Sequence, residues 1–416
     1  MERFQGLFGV ALILGIAFLA SNNRKRINHR LVFSGLGLQL LIAVLVLKIP
    51  PVTRFFQGMG HGMQKIEEFA RQGASFVYGG IAVQQFDGSI ANYTQGGFVF
   101  AFNITATIIL VCVLVAVLYH IGLMQKVVSV IAKAMNWVML VSGAEALSNV
   151  ASAFVGQVEA QVMIRPYLAG MTKSELLASM TGSLACIAGS ILVVYVAMGA
   201  QAGMDLAPKL IAASLMAAPG ALVISKIVWP ETEESQTMGK VKLEVKSPYI
   251  NVVDAVSHGA GDGFRIAMNV IAMLIGFIAL IALIDYGLVH LGHLFSPDLD
   301  LSLDWIFGKV FYPMAWAMAV PASEIANVAT LLGQKLTINE FVAFQNLTTR
   351  HVPIITEKGL LIVSVAICGF ANFSSVGMQI GGMGELAPER RGDLARLGLK
   401  ALLCGTLASY MSATID

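Results

Sequence analysis

An all-α polytopic membrane protein is the fold class that the sequence predicts, on three observations. The 416 residues are 56% hydrophobic and only 12% charged, with a mean hydropathy of +0.75. A soluble protein carries roughly 25% charged residues. The apolar residues gather in long runs, several of them close to the ~20 residues that span a bilayer. Two runs are broken in the middle by polar residues and turn formers. One break lies in Phe154-Val155-Gly156-Gln157-Val158-Glu159-Ala160, the other in Val320-Pro321-Ala322-Ser323-Glu324-Ile325-Ala326.

Taken in order, a first helix over 7–21 is preceded only by Arg3 and followed by Arg24, Lys25, Arg26 and Arg30. That marks a first span with its C-terminal end in the cytoplasm rather than a signal peptide. A second helix covers 31–47 and is stopped by Pro50-Pro51. Phe55, Phe56, Met59, Met63, Ile66 and Phe69 follow at helical spacing among polar residues, an amphipathic helix lying along the interface. Residues 73–97 read as loop, 98–123 as a third helix and 126–139 as a shorter amphipathic piece. Segments 144–155 and 160–168 are each too short to span, so they form a re-entrant hairpin. A full helix over 174–198 is broken at 186–190, and another covers 210–229. The charged stretch 230–246 is a solvated linker, followed by a long helix over 264–288. Residues 296–304 carry Asp298, Asp300 and Asp304 and no Lys or Arg. The pattern then returns. Segments 305–320 and 325–336 flank the break at 321–324 as a second hairpin, a helix over 360–380 is broken at 369–375, and the last helix covers 394–415.

A carboxylate at bilayer depth costs at least about 2.5 kcal/mol, so Glu159 and Glu324 need a partner or a wet cavity. Paired interruptions in two halves point to a transporter-type binding site. With the N-terminus outside, Arg24–Arg30, Lys126, Lys133, Lys240, Lys242, Lys246, Arg390 and Arg391 fall inside, and the acidic 296–304 loop falls outside. The two hairpins then enter from opposite faces, as an inverted repeat, and the C-terminus is outside. Lys335, Arg350 and Lys358 fit this placement least well.

The chain resembles the concentrative nucleoside transporters. The resemblance rests on Gly156-Gln157-Val158-Glu159-Ala160 with Arg165-Pro166, on Val320-Pro321 with Ser323-Glu324, on Asn339-Glu340-Phe341-Val342-Ala343, and on Cys368-Gly369-Phe370-Ala371-Asn372-Phe373-Ser374-Ser375. It implies about eight transmembrane helices, two re-entrant hairpins in an inverted repeat and interfacial helices. It also implies a homotrimer in a bacterial cytoplasmic (inner) membrane and a symporter importing nucleosides down a sodium or proton gradient, with no cofactor. On that reading 1–123 is N-terminal scaffold, 124–229 a first transport repeat, 230–288 a cytoplasmic loop and long scaffold helix, and 289–416 a second transport repeat. Gln157, Val158 and Glu159 would hold the base, and Glu324, Asn372 and Ser375 the ribose. Ile191 and Phe370 would pack against the ligand. Such groups suit a neutral solute with many hydroxyls and a flat base. Val158 stands where family members usually carry threonine, which removes a hydroxyl from the base contact. A sodium site would use Ser152, Cys186 and the carbonyls of Val155 and Ile187. Sodium wants oxygen, which the Cys186 thiol does not supply, and a proton carried by Glu159 or Glu324 is the alternative.

Other classes fare worse. No basic or aromatic patch suggests a nucleic-acid partner, so the expected partners are a nucleoside, the lipid bilayer and further copies of the chain. An intramembrane hydrolase would need a metal set or a serine–histidine pair that the sequence lacks. Cys112, Cys186, Cys368 and Cys404 have neither zinc nor disulfide spacing. The same architecture could carry a free nucleobase, against which the ribose-type residues argue. Asn339 and Glu340 read as structural, tying the second hairpin to its neighbour.

Overall fold

The computed structural model describes residues 2–78, 100–238, 249–295, 301–349, 352–354 and 356–415. Of the loop expected over 73–97, residues 73–78 are helical instead and continue the preceding amphipathic helix; 79–97, residues 239–246 of the linker and 296–300 of the acidic loop lie outside that description, as do the side chains of Glu159 and a few other helical residues. The described residues are helical and contain no strand.

The N-terminal helices come first. Helices α1 (Glu2–Leu19) and α2 (His29–Lys48) match the first two expected spans. α2 buries Leu31, Gly35, Gln39, Ala43 and Val46 on one face and leaves Leu40, Leu41 and Val44 exposed on the other. A helix apolar all round suits lipid on its outer side. α2 stops at Lys48, just before Pro50-Pro51 as expected, and the same prolines open the amphipathic α3 (Pro50–Tyr78). Proline fits the first turn of a helix, where its missing N–H has no partner to lose. α4 (Phe100–His120) is followed by a bend of 76° into α5 (Leu123–Met139), at Gly122 in the left-handed region, φ 77°.

The first repeat follows. α6 (Gly143–Ser152), α7 (Glu159–Val162) and α8 (Arg165–Leu168) form the first hairpin. α9 (Lys173–Ala185) and α10 (Gly189–Gln201) are the two halves of a broken helix, and α11 (Ala207–Val228) completes the repeat. α12 (Val252–Phe295) starts a dozen residues before the sequence reading had it. Gly259 and Gly263 explain the early start. A Cβ at either would sit 2.8 Å from the Val113 Cα or 2.7 Å from the Ile109 Cα, so two glycines one turn apart let α12 lie directly on α4.

The second repeat is where the sequence reading needs correction. α13 (Leu303–Val310) and α14 (Tyr312–Ala317) lead to the break at 318–324. Then come α15 (Ile325–Thr337), α16 (Glu340–Thr348), α17 (Glu357–Ile367), α18 (Phe373–Leu386) and α19 (Arg391–Ile415). The antiparallel pair with a tight turn is α15 and α16, packed together and turning at Ile338-Asn339. The interruption at Pro321–Glu324 is the base of this hairpin, where an approach segment joins it, and not its tip. The order hairpin, broken helix, helix therefore does occur twice, with the second hairpin shifted toward the C-terminus.

By length and apolarity alone, two described helices, α2 and α11, qualify as single spans. The remaining helices are short, halved by breaks or polar at one end. The α9–α10 and α17–α18 pairs are composites of half-helices, which is tolerated at bilayer depth where neighbouring protein satisfies the freed backbone.

Candidate functional site

The base of the first hairpin is held by charge. Ser142 and Glu145 make a capping box on α6, and Thr172 and Glu175 make one on α9. Lys226, near the end of α11, reaches Glu145 at 2.7 Å and Glu231 at 3.3 Å and donates to the Ser174 hydroxyl at 2.9 Å. Glu175 accepts from Ser235 and Thr237, and the Thr237 carbonyl accepts from the Gly143 N–H at 3.0 Å. The 231–237 segment thus ties together the starts of α6 and α9 and the end of α11.

Above this base one face of α6 is polar and buried. Glu145, Ser148, Asn149 and Ser152 recur at helical spacing toward α9. The Ser152 hydroxyl bonds the Ser148 carbonyl at 2.7 Å and the Ser183 hydroxyl at 2.9 Å. Gln161 donates to Ser183 at 2.7 Å and accepts from Ser179 at 2.6 Å, which welds the second arm of the hairpin to α9. The tip is fixed to the broken helix through Gly189, whose N–H donates to the Phe154 carbonyl at 3.3 Å.

The two helix breaks touch. The Phe370 N–H donates to the Cys186 carbonyl at 3.4 Å. Gly369 permits this approach, because a Cβ there would lie 2.4 Å from the Ala185 carbonyl oxygen. Gly369→Ala is expected to cost about 1–3 kcal/mol of stability as an overpacking change; thermal unfolding in detergent checks it, and an unchanged midpoint would refute the close approach.

At the second hairpin Asn339 caps α16, its side chain accepting from the Val342 N–H at 2.8 Å. Glu340, the next residue, accepts from the Asn372 amide at 2.6 Å. Asn372 in turn caps α18, its Oδ1 accepting from the Ser375 N–H at 2.8 Å. Glu324 is elsewhere. Its carboxylate accepts from the Thr356 N–H at 2.8 Å and from the Thr356 hydroxyl at 2.7 Å, at the start of α17. The 11 residues of α17 separate that point from the break by about 16 Å. Glu324 and Asn372, expected to share one sugar, lie at opposite ends of a half-helix. The carboxylate beside Asn372 is Glu340, which the sequence reading had given a structural role. Its signal was legible: a cap residue followed by an acid, opening a half-length apolar segment.

Gln157 and Val158 at the first tip face α18, with the Gln157 amide 3.8 Å from the Met378 sulfur and Val158 against Gly382. The Gln157 Oε1 is buried without a hydrogen-bond partner. Ile191 is buried in the first turn of α10, Phe370 is half-buried, and Asn372 and Ser375 are buried. Glu159 opens α7, and its side chain lies outside the description. Of the expected cation residues, Ser152 spends its hydroxyl on Ser148 and Ser183, and the Cys186 thiol lies 3.8 Å from the Asn149 carbonyl. Val155 lies on the turn at the first hairpin tip and Ile187 in the break of the α9–α10 helix.

Comparison with known proteins agrees with this architecture. Residues 209–416 match a family described as Na+ dependent nucleoside transporter C-terminus, residues 8–81 its N-terminus, and residues 101–202 a nucleoside recognition family. The nucleoside permease NupC of Helicobacter pylori is 36% identical over 99% of this chain and 97% of its own. The sodium/nucleoside cotransporter 1 of Mus musculus is 36% identical over all of this chain and 63% of its own. CNTnw in an inward-facing substrate-bound state superposes with a TM-score of 0.90 at 39% identity, covering 100% of this chain and 97% of that one. These relatives are transporters and permeases, not enzymes. The chain is a polytopic all-α membrane protein that belongs to the Na+-dependent nucleoside transporter family.

Proposed function

We propose that the chain imports nucleosides by secondary active transport, driven by a monovalent cation gradient. The observation that carries this reading is the meeting of hairpin tips and helix breaks, with Glu340 on Asn372 and Phe370 on Cys186. Glu340, Asn372 and Ser375 offer the acceptors and donors that a ribose requires. Gln157 and Glu159 read the base, with Val158, Ile191 and Phe370 packed around it. Leaving such buried groups unpaired costs about 1–3 kcal/mol each, so solutes lacking the sugar are rejected. The coupling cation, sodium or a proton, rides at the first tip among Ser152, Val155, Cys186 and Ile187. The transport elements move against the scaffold of a homotrimer, with both termini outside.

Purified protein in liposomes, given a sodium gradient or a pH gradient separately, tests the reading with radiolabelled uridine and adenosine. Accumulation under either gradient supports it and names the ion. Equal competition by uracil would replace the nucleoside with its free base. No accumulation of any of these under either gradient would overturn it.

A further inference from the structure

Lys335 is fully buried at 0% exposure, and its ammonium has no hydrogen-bond partner among the described residues. It lies in the last turn of α15, at the second hairpin tip. Cys368 and Glu340 are the titratable groups close enough to act on it through space, and no described carboxylate comes within salt-bridge distance. A bare ammonium buried in protein is costly unless charge or dipoles compensate it. The C-terminal carbonyls of α15 and the Glu340 carboxylate supply that compensation.

The two repeats place their parts alike. Ser152 ends α6, the first arm of the first hairpin, as Lys335 lies in the last turn of α15, the first arm of the second. Glu159 is the first residue of α7, as Glu340 is of α16. Cys186 follows the first half of one broken helix, as Cys368 follows the first half of the other. In the first repeat this locus is the one proposed above for the coupling cation. In the second repeat the corresponding end of the first arm holds Lys335.

We propose that the Lys335 ammonium is a resident cation, fixed in the second repeat where the transported cation binds in the first. The inference rests on the proposed function for the identity of the first site. Its physical logic is charge balance. The second hairpin tip carries a tethered positive charge near Glu340 at all times, whereas the first tip gains one only when an ion arrives. The tip of the second hairpin is then always ready for the sugar, and the tip of the first becomes ready only with the ion.

The test empties the second site. Lys335→Ala removes the ammonium and leaves room for a small cation, and Lys335→Arg retains a charge. Thermal stability of the purified full-length protein is followed in detergent with n-propylammonium, sodium or the bulky tetraethylammonium. The expected result is that Lys335→Ala melts lower than the parent and is restored saturably by propylammonium, while the parent and Lys335→Arg do not respond. Uridine affinity should fall by about tenfold or more in Lys335→Ala, as expected when one partner of a buried charge pair is removed, and recover with propylammonium. An unchanged melting point and affinity in Lys335→Ala would overturn the proposal. So would a loss that no cation restores, or a restoration equally strong with tetraethylammonium. The melting arm needs no nucleoside. If the parent protein binds no nucleoside while propylammonium still rescues Lys335→Ala, the resident cation stands and the substrate assignment fails.

Discussion

Lys226→Met is expected to lower stability by about 3–5 kcal/mol, the range seen when one partner of a buried ion pair is removed. Lys226 is 5% exposed, and Glu145, 2.7 Å from it, is 2% exposed. Methionine fills the volume but leaves the Glu145 and Glu231 carboxylates facing each other without a cation. Glu145 cannot swing away, because it also accepts from the Ser142 N–H at 2.8 Å in the capping box. The strain therefore falls on the starts of α6 and α9, which share the 231–237 segment. The measurement is thermal unfolding in detergent for Lys226→Met, Glu145→Gln and the double variant. The double variant should recover much of the loss, since a neutral pair buries no uncompensated charge. A melting point unchanged in Lys226→Met would mean that the cluster is no keystone of the first hairpin.

The second large effect concerns substrate. Glu340→Gln is expected to weaken nucleoside binding by about ten- to a hundredfold, the equivalent of a charge-assisted hydrogen bond of about 1.5–3 kcal/mol. Glutamine keeps the shape and can still accept from Asn372, but it offers a sugar hydroxyl no anionic oxygen. Glu324→Gln serves as the contrast. That residue is occupied by Thr356 about 16 Å along α17 from the break, so its replacement should leave affinity within a few-fold while loosening the hairpin base. Equilibrium binding of uridine to folded protein separates the two. The opposite ranking, with Glu324→Gln losing affinity and Glu340→Gln keeping it, would return the sugar site to Glu324.

These two residues also mark the boundary between what could be read locally and what could not. The break of the first broken helix, Cys186 to Ala188, and that of the second, Cys368 to Asn372, were legible because the apolar pattern stops and small or polar residues replace it. The first hairpin tip was legible for the same reason, since Gly156, with φ 151°, adopts a backbone that suits glycine. The turn at Ile338-Asn339 carries neither glycine nor proline, and apolar periodicity runs across it. The more conspicuous Pro321 drew the hairpin a whole arm too early.

The amino-acid sequence by itself determined the membrane class, the half-helices and their breaks, and the family, because these follow from local hydropathy and from short motifs. Only the tertiary structure decided which carboxylate meets Asn372 and which meets Thr356. It also decided that Lys226 closes the base of the first hairpin and that Lys335 is sealed into the tip of the second. Glu145 and Lys226 are brought together across the whole first repeat by helix packing. Charge partners so far apart in the chain are chosen by the fold, and no residue spacing encodes them.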